Sequence, residues 1–427
     1  MSDDRTAALR ARRDRLLGPA YRLFYDEPLH VVRGEGVWLT DADGERYLDA
    51  YNNVASVGHC HPHVVAALAR QAAVLNTHTR YLSEGVLDYA ERLLATFPPE
   101  IGHVMFTCTG SEANDLALRA AHAVTGGTGV VVTDWAYHGV TVALAEMSPS
   151  LGSAVRIGDQ VRLVAPPDAY RGEGDVAQAF ADRVTAAIED MRRHGITPAA
   201  LLVDTIFSSD GVFADPPGFL APAAAAMRAA GGLVIADEVQ PGFGRTGNGM
   251  WGFARHGLVP DMVTMGKPMG DGHPIAGMAA KPEILAEFGR RTRYFNTFGG
   301  NPVSAAVGMA VLDVIENEGL VANARGTGAF LIEALRALAN RHAAIGDVRG
   351  AGLFIGVDLV RDRATREPDG ALASRVVNGL RRRRVLVSSC GRHGNVLKLR
   401  PPLVFGREHA EMLVDALDRT LADPGGP

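Results

Sequence analysis

The sequence predicts an α/β fold: a large domain whose mostly parallel sheet is wrapped by helices, with a smaller α+β domain beside it. Three features lead there. Short apolar runs alternate with longer stretches of helical period between residues 103 and 265, the pattern of successive strand and helix units. Two of these runs, Leu233-Val234-Ile235-Ala236 and Met262-Val263-Thr264-Met265, are continuous and short, as strands buried on both faces are. The last part of the chain changes texture, mixing brief strand patterns with two helices.

In chain order, residues 3–17 (DDRTAALRARRDRLL) read as an amphipathic packing arm stopped by Gly18-Pro19. Residues 31–33, 36–40 and 46–49, with a turn at Asp41-Ala42-Asp43-Gly44, form a small hairpin sheet. Pro62 is placed to start a helix over 63–75, and a second follows at 84–96. The alternation then runs strand 103–107, helix 112–124, strand 129–133, helix 139–146, strand 161–164, helix 175–194, strand 199–203 and helix 219–230. That last helix leads into the central strand at Leu233. Helices over 302–318 and 319–340 leave the large domain. Strands at 352–359, 385–388 and 396–399, with helices at 371–383 and 407–421, make the smaller lobe. The expected organisation is therefore an N-terminal arm and hairpin (1–50), a large domain (51–320) and the C-terminal part of the small domain (321–427).

A chain of 427 residues with 47% hydrophobic content can bury more than one core. Its net charge of −5 gives no basic footprint for nucleic acid, and Arg381 to Arg384 read as a solvated helix end. The three cysteines, Cys60, Cys108 and Cys390, lack disulfide or metal spacing, which fits a reducing cytoplasm. Neither a signal-peptide apolar region nor a run of membrane-spanning length is evident, so no membrane partner is expected.

The chemistry is signalled at the ends of the two continuous runs. One stops at Asp237-Glu238, the other at Gly266-Lys267-Pro268, so an acid and an amine each end a buried strand. A lysine can hold an aldehyde cofactor as a Schiff base, and pyridoxal 5′-phosphate (PLP) also needs an acid to keep its ring nitrogen protonated. Lys267 and Asp237 fit those roles; a solvated lysine and a turn acid are the plain alternative. Gly242 to Gly247 satisfies G-x-G-x-x-G, but no helix opens behind it, as a dinucleotide site requires. His59, His61 and His63 lack carboxylate or thiolate companions at ligand spacing, and no metal is expected. Thr109-Gly110-Ser111 ends a strand and opens a helix, where the amides of Gly110, Ser111 and Glu112 can bind a phosphate or Ser111 can simply cap the helix.

DEVQPGFGRTG (237–247), PDMVTMGKPMGDGHPIAG (260–277), TGSEAND (109–115), WAYHG (135–139) and NTFGGNP (296–302) resemble the class III aminotransferases, PLP enzymes of fold type I. The resemblance runs from about Asp26 to the last helix. It implies a seven-stranded type of sheet in the large domain and assigns cofactor contacts. Gly110 and Ser111 meet the phosphate, Tyr137 stacks on the ring beside His138, Asp237 meets the ring nitrogen and Gln240 the ring hydroxyl. Thr297 reaches the phosphate of a neighbouring subunit, which implies a homodimer with active sites at the interface and leaves room for a tetramer. Asn53, Tyr81, Lys398 and Arg400 are the expected substrate residues.

At the substrate end the chain departs from the common pattern. The family's carboxylate-gripping arginine stands three residues before a Pro-Pro pair; here that position is Lys398, and Arg400 directly precedes Pro401. Asp204 to Ser209 replace the motif that carries a gating glutamate. NVASVGHCHP, LNTHTRYLSEGVLDYAERL, RYFNTFGGNPVS, GDVRGAGLFIGVDL and LKLRPPL resemble instead the subgroup containing ethanolamine-phosphate phospholyase. The leading expectation is amino transfer from a primary amine or amino acid to a 2-oxo acid such as pyruvate or glyoxylate. The alternative is elimination from a phosphorylated or phosphonylated amino alcohol. A PLP-binding regulator is disfavoured, because about 25 residues before the matched region cannot hold a DNA-binding domain.

Overall fold

The structure, a computed structural model, describes residues 2–423. Its centre is a seven-stranded sheet made of β1 (His103–Thr107), β2 (Gly129–Thr133), β3 (Val161–Val164), β4 (Pro198–Asp204), β5 (Leu233–Asp237), β6 (Met262–Met265) and β7 (Ala276–Ala280). The spatial order is β1-β7-β6-β5-β4-β2-β3. All neighbours pair in parallel except β7, which runs antiparallel to both β1 and β6. Val130, Val131, Val132, Leu201, Leu202, Val234, Ile235 and Val263 are fully buried, as strands covered on both faces must be. β7 reads AGMAA, without the β-branched residues that mark strands, and sequence patterning passes over it. The helix Pro282–Arg291 behind it is likewise unforeseen.

Register brings the chemistry to one edge. Asp204 pairs with Asp237 across β4 and β5, and Asp237 pairs with Thr264 across β5 and β6, so two acids and a hydroxyl share the carboxyl ends of adjacent strands. Ligands in open parallel sheets bind at that edge. The helix Gly110–Thr125 starts beside it, directly after β1.

The small-domain elements differ in detail from expectation. The strand foreseen at 352–359 is one arm of a hairpin, Ile345–Ala351 and Phe354–Asp362, turned at Gly352, whose φ of +54° and close contact with Arg245 O exclude a side chain. The strand foreseen at 385–388 is divided. Val385–Leu386 runs parallel to Arg46–Asp49 and completes the N-terminal hairpin sheet, while Ser388–Cys390 pairs with Val396–Leu399. The helix expected over 139–146 shrinks to Val142–Ala145, capped by Thr141. The N-terminal helix spans Ser2–Leu17, but Leu9, Leu16 and Leu17 are exposed, so arginine and leucine alternate without making an apolar stripe. Among the described residues, no helix is long and apolar enough to cross a membrane.

Candidate active site

The carboxyl edge of the sheet opens into a cleft of about 290 Å³ lined by Gly110, Ser111, Tyr137, His138, Asp237, Gln240 and Lys267, together with Val54, Asn114, Asp204, Val239 and His273. Asp237 is the most firmly held of these. Its Oδ2 accepts from Asn114 Nδ2 at 2.9 Å and from His138 Nδ1 at 2.8 Å, and its Oδ1 accepts from Val239 N at 3.1 Å. Asn114 cannot flip, because its Oδ1 accepts from Thr264 Oγ1 at 2.6 Å while its Nδ2 also donates to His138 O at 2.8 Å. An acid fixed from three sides can meet a ring nitrogen without reorganising.

Lys267 is half-buried at the end of β6 and forms no side-chain hydrogen bond or ion pair among the described residues. Burial lowers its pKa and the charge of Arg400 lowers it further, with Asp237 and Asp204 pulling the other way. Both effects favour the unprotonated amine, the form that attacks an aldehyde, over the ammonium. Asp204 lies level with Asp237 and accepts from Ile206 N and Ser208 N at 3.0 and 3.1 Å; burial and the neighbouring Asp237 raise its pKa.

The helix end is anion-ready. Thr109 caps it through Glu112 N at 3.1 Å, and Glu112 returns its carboxylate to the amides of Cys108 and Thr109 at 2.8 and 3.0 Å. This box leaves the amides of Gly110 and Ser111 without acceptors among the described residues, at the positive end of a 16-residue helix. Thr109, not Ser111, is the cap. A Cβ at Gly110 would stand 2.9 Å from Val239 Cγ2, so only glycine lets the helix start lie this close to β5. A free lysine, a fixed acid and unpaired helix amides around one cleft fit PLP.

Gln240 donates from Nε2 to Ser208 Oγ at 2.6 Å and accepts from Arg400 Nη1. Arg400 stacks over Tyr51, 4.8 Å from the ring centroid. Lys398 is 6% exposed, faces the Phe354 ring at 5.6 Å and has no hydrogen bond or ion pair among the described residues. Burial, then Arg400, pushes its pKa down to about 7. Both cations stand behind Gln240 and Asp204 rather than on the cleft surface. Asn53 is buried beside the cleft and donates to Gln240 O at 3.1 Å. Tyr81 is 67% exposed and stacks on His78, and Thr297 is also exposed, so within one chain neither borders the cleft.

His59, His61 and His63 each have a separate carboxylate, Asp49, Glu318 and Asp313. The residues sequence reasoning did not assign are Asn114, Asp204, Thr264 and His273. For Asn114 a signal exists: it interrupts the buried face formed by Ala113, Leu116 and Ala117.

An amine and an acid at the carboxyl edge of a mostly parallel sheet, facing a phosphate-ready helix, define a PLP-dependent enzyme of fold type I. The family model for "Aminotransferase class-III" matches residues 24–421, and the chain belongs to that family. It is 42% identical over 414 residues to a Drosophila melanogaster protein named alanine–glyoxylate aminotransferase 2-like, covering 93% of this chain and 84% of that one. It is 38% identical over 431 residues to ethanolamine-phosphate phospho-lyase homolog 1 of Caenorhabditis elegans, covering 96% and 92%. Among solved structures, a phospholyase from Arthrobacter in complex with phosphoethanolamine superposes with a TM-score of 0.94 at 47% identity, covering 97% of this chain and 99% of the other.

Proposed function

We propose that the chain eliminates phosphate from a phosphorylated amino alcohol such as phosphoethanolamine, releasing ammonia and an aldehyde. The observation that carries this reading is Lys398 and Arg400, two cations beside the cleft that have no carboxylate partner among the described residues. Both lie close enough to Lys267 to depress its charge or have theirs depressed by it. A dianionic phosphate ester supplies the missing counter-charge more fully than a single carboxylate does. The likeness to the Arthrobacter phospholyase supports the same choice.

In this reading the amides of Gly110 and Ser111 hold the cofactor phosphate, Tyr137 covers the ring beside His138, Gln240 bonds the ring hydroxyl and Asp237 keeps the ring nitrogen protonated. Thr297 of a second copy closes over the phosphate, making a homodimer the active unit. PLP bound there draws electron density from the carbon that carries the substrate nitrogen. Lys267 Nζ removes the proton from that carbon. The electron pair then expels phosphate from the next carbon, the C–O bond breaking with both electrons on oxygen, while Lys398 and Arg400, behind Gln240 and Asp204, lend positive charge toward the departing anion. Lys267 returns its proton to the carbon that lost phosphate, and water takes the place of nitrogen to give aldehyde and ammonia.

Transamination is the second reading, favoured by the identity to the Drosophila relative. Here the positive charge of Lys398 and Arg400 favours a substrate carboxylate instead. Holoenzyme mixed with phosphoethanolamine and no oxo acid separates the two. Continuous, equimolar release of phosphate and ammonia is expected. Turnover that starts only when pyruvate or glyoxylate is added, without phosphate release, refutes elimination.

A further inference from the structure

The G-x-G-x-x-G stretch, which opens no dinucleotide site, has another task in the fold. Gly244 and Gly247 hold φ of +84° and +73°, and a Cβ at Gly247 would stand 2.7 Å from Arg325 Cα. The turn they allow seats Arg245 inside the protein, 1% exposed, against the lobe that carries Lys398 and Arg400. Arg245 Nη1 donates to Leu353 O at 3.2 Å and to Pro401 O, and its own carbonyl accepts from Leu353 N at 3.0 Å. These two carbonyls sit at the ends of paired strands. Phe354–Asp362 begins directly after Leu353, Val396–Leu399 ends two residues before Pro401, and Ile355 pairs with Leu399. Arg245 Nε and Nη2 are sealed from solvent and have no hydrogen-bond partner among the described residues. The acid that favours its charge, Asp49, is taken up by His59 Nε2 at 2.7 Å and by the amides of Tyr51 and Asn52. Burying a cation with unpaired donors opposes folding, so stability does not explain its place here.

We propose that Arg245 is a positioning residue for the substrate anion: it ties the ends of these two strands to the loop that carries Asp237 and Gln240, and so fixes Arg400 and Lys398 relative to Lys267. The inference rests on the roles proposed above for Lys398 and Arg400. Arg400 is then held from one loop at two points. Gln240 Oε1 accepts from the head of its side chain, and Arg245 grips the carbonyl of the residue that follows it. Lys398 shares the arrangement, because its strand is the one that ends at Arg400 and it pairs with Gly356 on the strand that starts after Leu353. Without Arg245, the two cations keep only the Gln240 contact with this loop, and the anion they favour is no longer set against the amine that moves the proton. The glycines of the unused motif thereby serve the anion rather than a nucleotide.

Phosphate release from phosphoethanolamine by holoenzyme, with inorganic phosphate as a competing anion, tests this. Arg245→Met should lower kcat/KM about tenfold, chiefly through KM, and weaken inhibition by phosphate by the same factor. The visible band of bound cofactor should not change, since Lys267, Asp237 and Gly110 belong to the central sheet and the helix beside it. Arg245→Lys keeps the charge and enough donors for both carbonyls, and should stay within about threefold of wild type. On an Arg400→Met background, Arg245→Met should cost less than about twofold more, as two residues acting as one unit require. Effects that simply multiply overturn the proposal, as does an Arg245→Met enzyme with unchanged KM and phosphate inhibition. Loss of the cofactor band along with activity, unrelieved by lysine, marks a merely structural residue and also overturns it. Where Arg245→Met does not fold, Arg245→Gln, neutral and too short to reach both strands, takes its place in the same cycle. The premise is checked apart. If Arg400→Met is impaired and Arg245→Met is not, only the positioning role falls; if wild type releases no phosphate, or Arg400→Met alone changes neither constant, the roles assigned to the cations fall as well.

Discussion

Glu238 follows the acid of the site in sequence yet points away from the cleft, and its replacement by Gln gives a worked test of how that acid is supported. Its Oε1 accepts from Thr205 Oγ1 at 2.7 Å and Phe253 N at 2.8 Å, and its Oε2 accepts from Gly252 N at 2.7 Å. Burial raises its pKa from 4.5 to about 7 against those three bonds. The folded value exceeds the unfolded one, so the folded chain binds more protons between these limits. Stability attributable to the neutral acid is full below pH 4.5 and is lost as pH rises through 7. The shift corresponds to about 3 kcal/mol. Glu238→Gln cannot titrate, and its amide NH₂ meets the same three donors that the OH of the neutral acid meets. Urea unfolding of the holoenzyme should therefore find that the stability of the variant relative to wild type rises by about 2.5 kcal/mol between pH 5 and pH 8. A gap that is the same at both pH values refutes the reasoning.

Burial pushes the pKa of Lys398 down to about 7, so its charge is lost and kcat/KM for phosphoethanolamine should fall as pH rises from 7 to 9, where the phosphate is already fully charged; Lys398→Arg should flatten that limb. Gly110→Ala puts a methyl group 2.9 Å from Val239 Cγ2, at a strain of about 1–3 kcal/mol, and should weaken PLP retention at least about tenfold in a dialysis measurement. If Thr297 acts across a dimer, Lys267→Ala and Thr297→Ala chains are each weak, and co-refolding them should regenerate mixed dimers with one intact site. Activity of the mixture no greater than the mean of the two variants removes Thr297 from that role.

Most of the large sheet was legible because its strands are short runs of Val, Ile, Leu and Met ended by charge or glycine. β7 was not, since Ala and Gly fill a strand only when neighbours on both sides leave no room for larger residues; a Cβ on Gly277 would already meet Met105 O at 3.0 Å. In the site, Asp237 and Lys267 stood out because each interrupts an apolar run. Asn114 and Asp204 did not, because their work depends on partners more than thirty residues away: Thr264 orients Asn114, and strand register sets Asp204 beside Asp237. The division of residues 385–390 between two sheets was equally hidden, being a matter of which neighbour each pair of residues meets.

The pairing of Val385–Leu386 with Arg46–Asp49 spans more than three hundred residues of chain. On a ribosome, the hairpin made first must wait, with Arg46–Asp49 presenting an open edge, until nearly the whole polypeptide has been synthesised. The seven strands between them can close earlier, since β7 ends at Ala280. Folding during synthesis thus has a set order, with the cofactor-bearing sheet finished well before the lobe that carries Lys398 and Arg400. A truncation just before Val385 leaves the early sheet complete and the hairpin edge uncovered, free to pair with other chains.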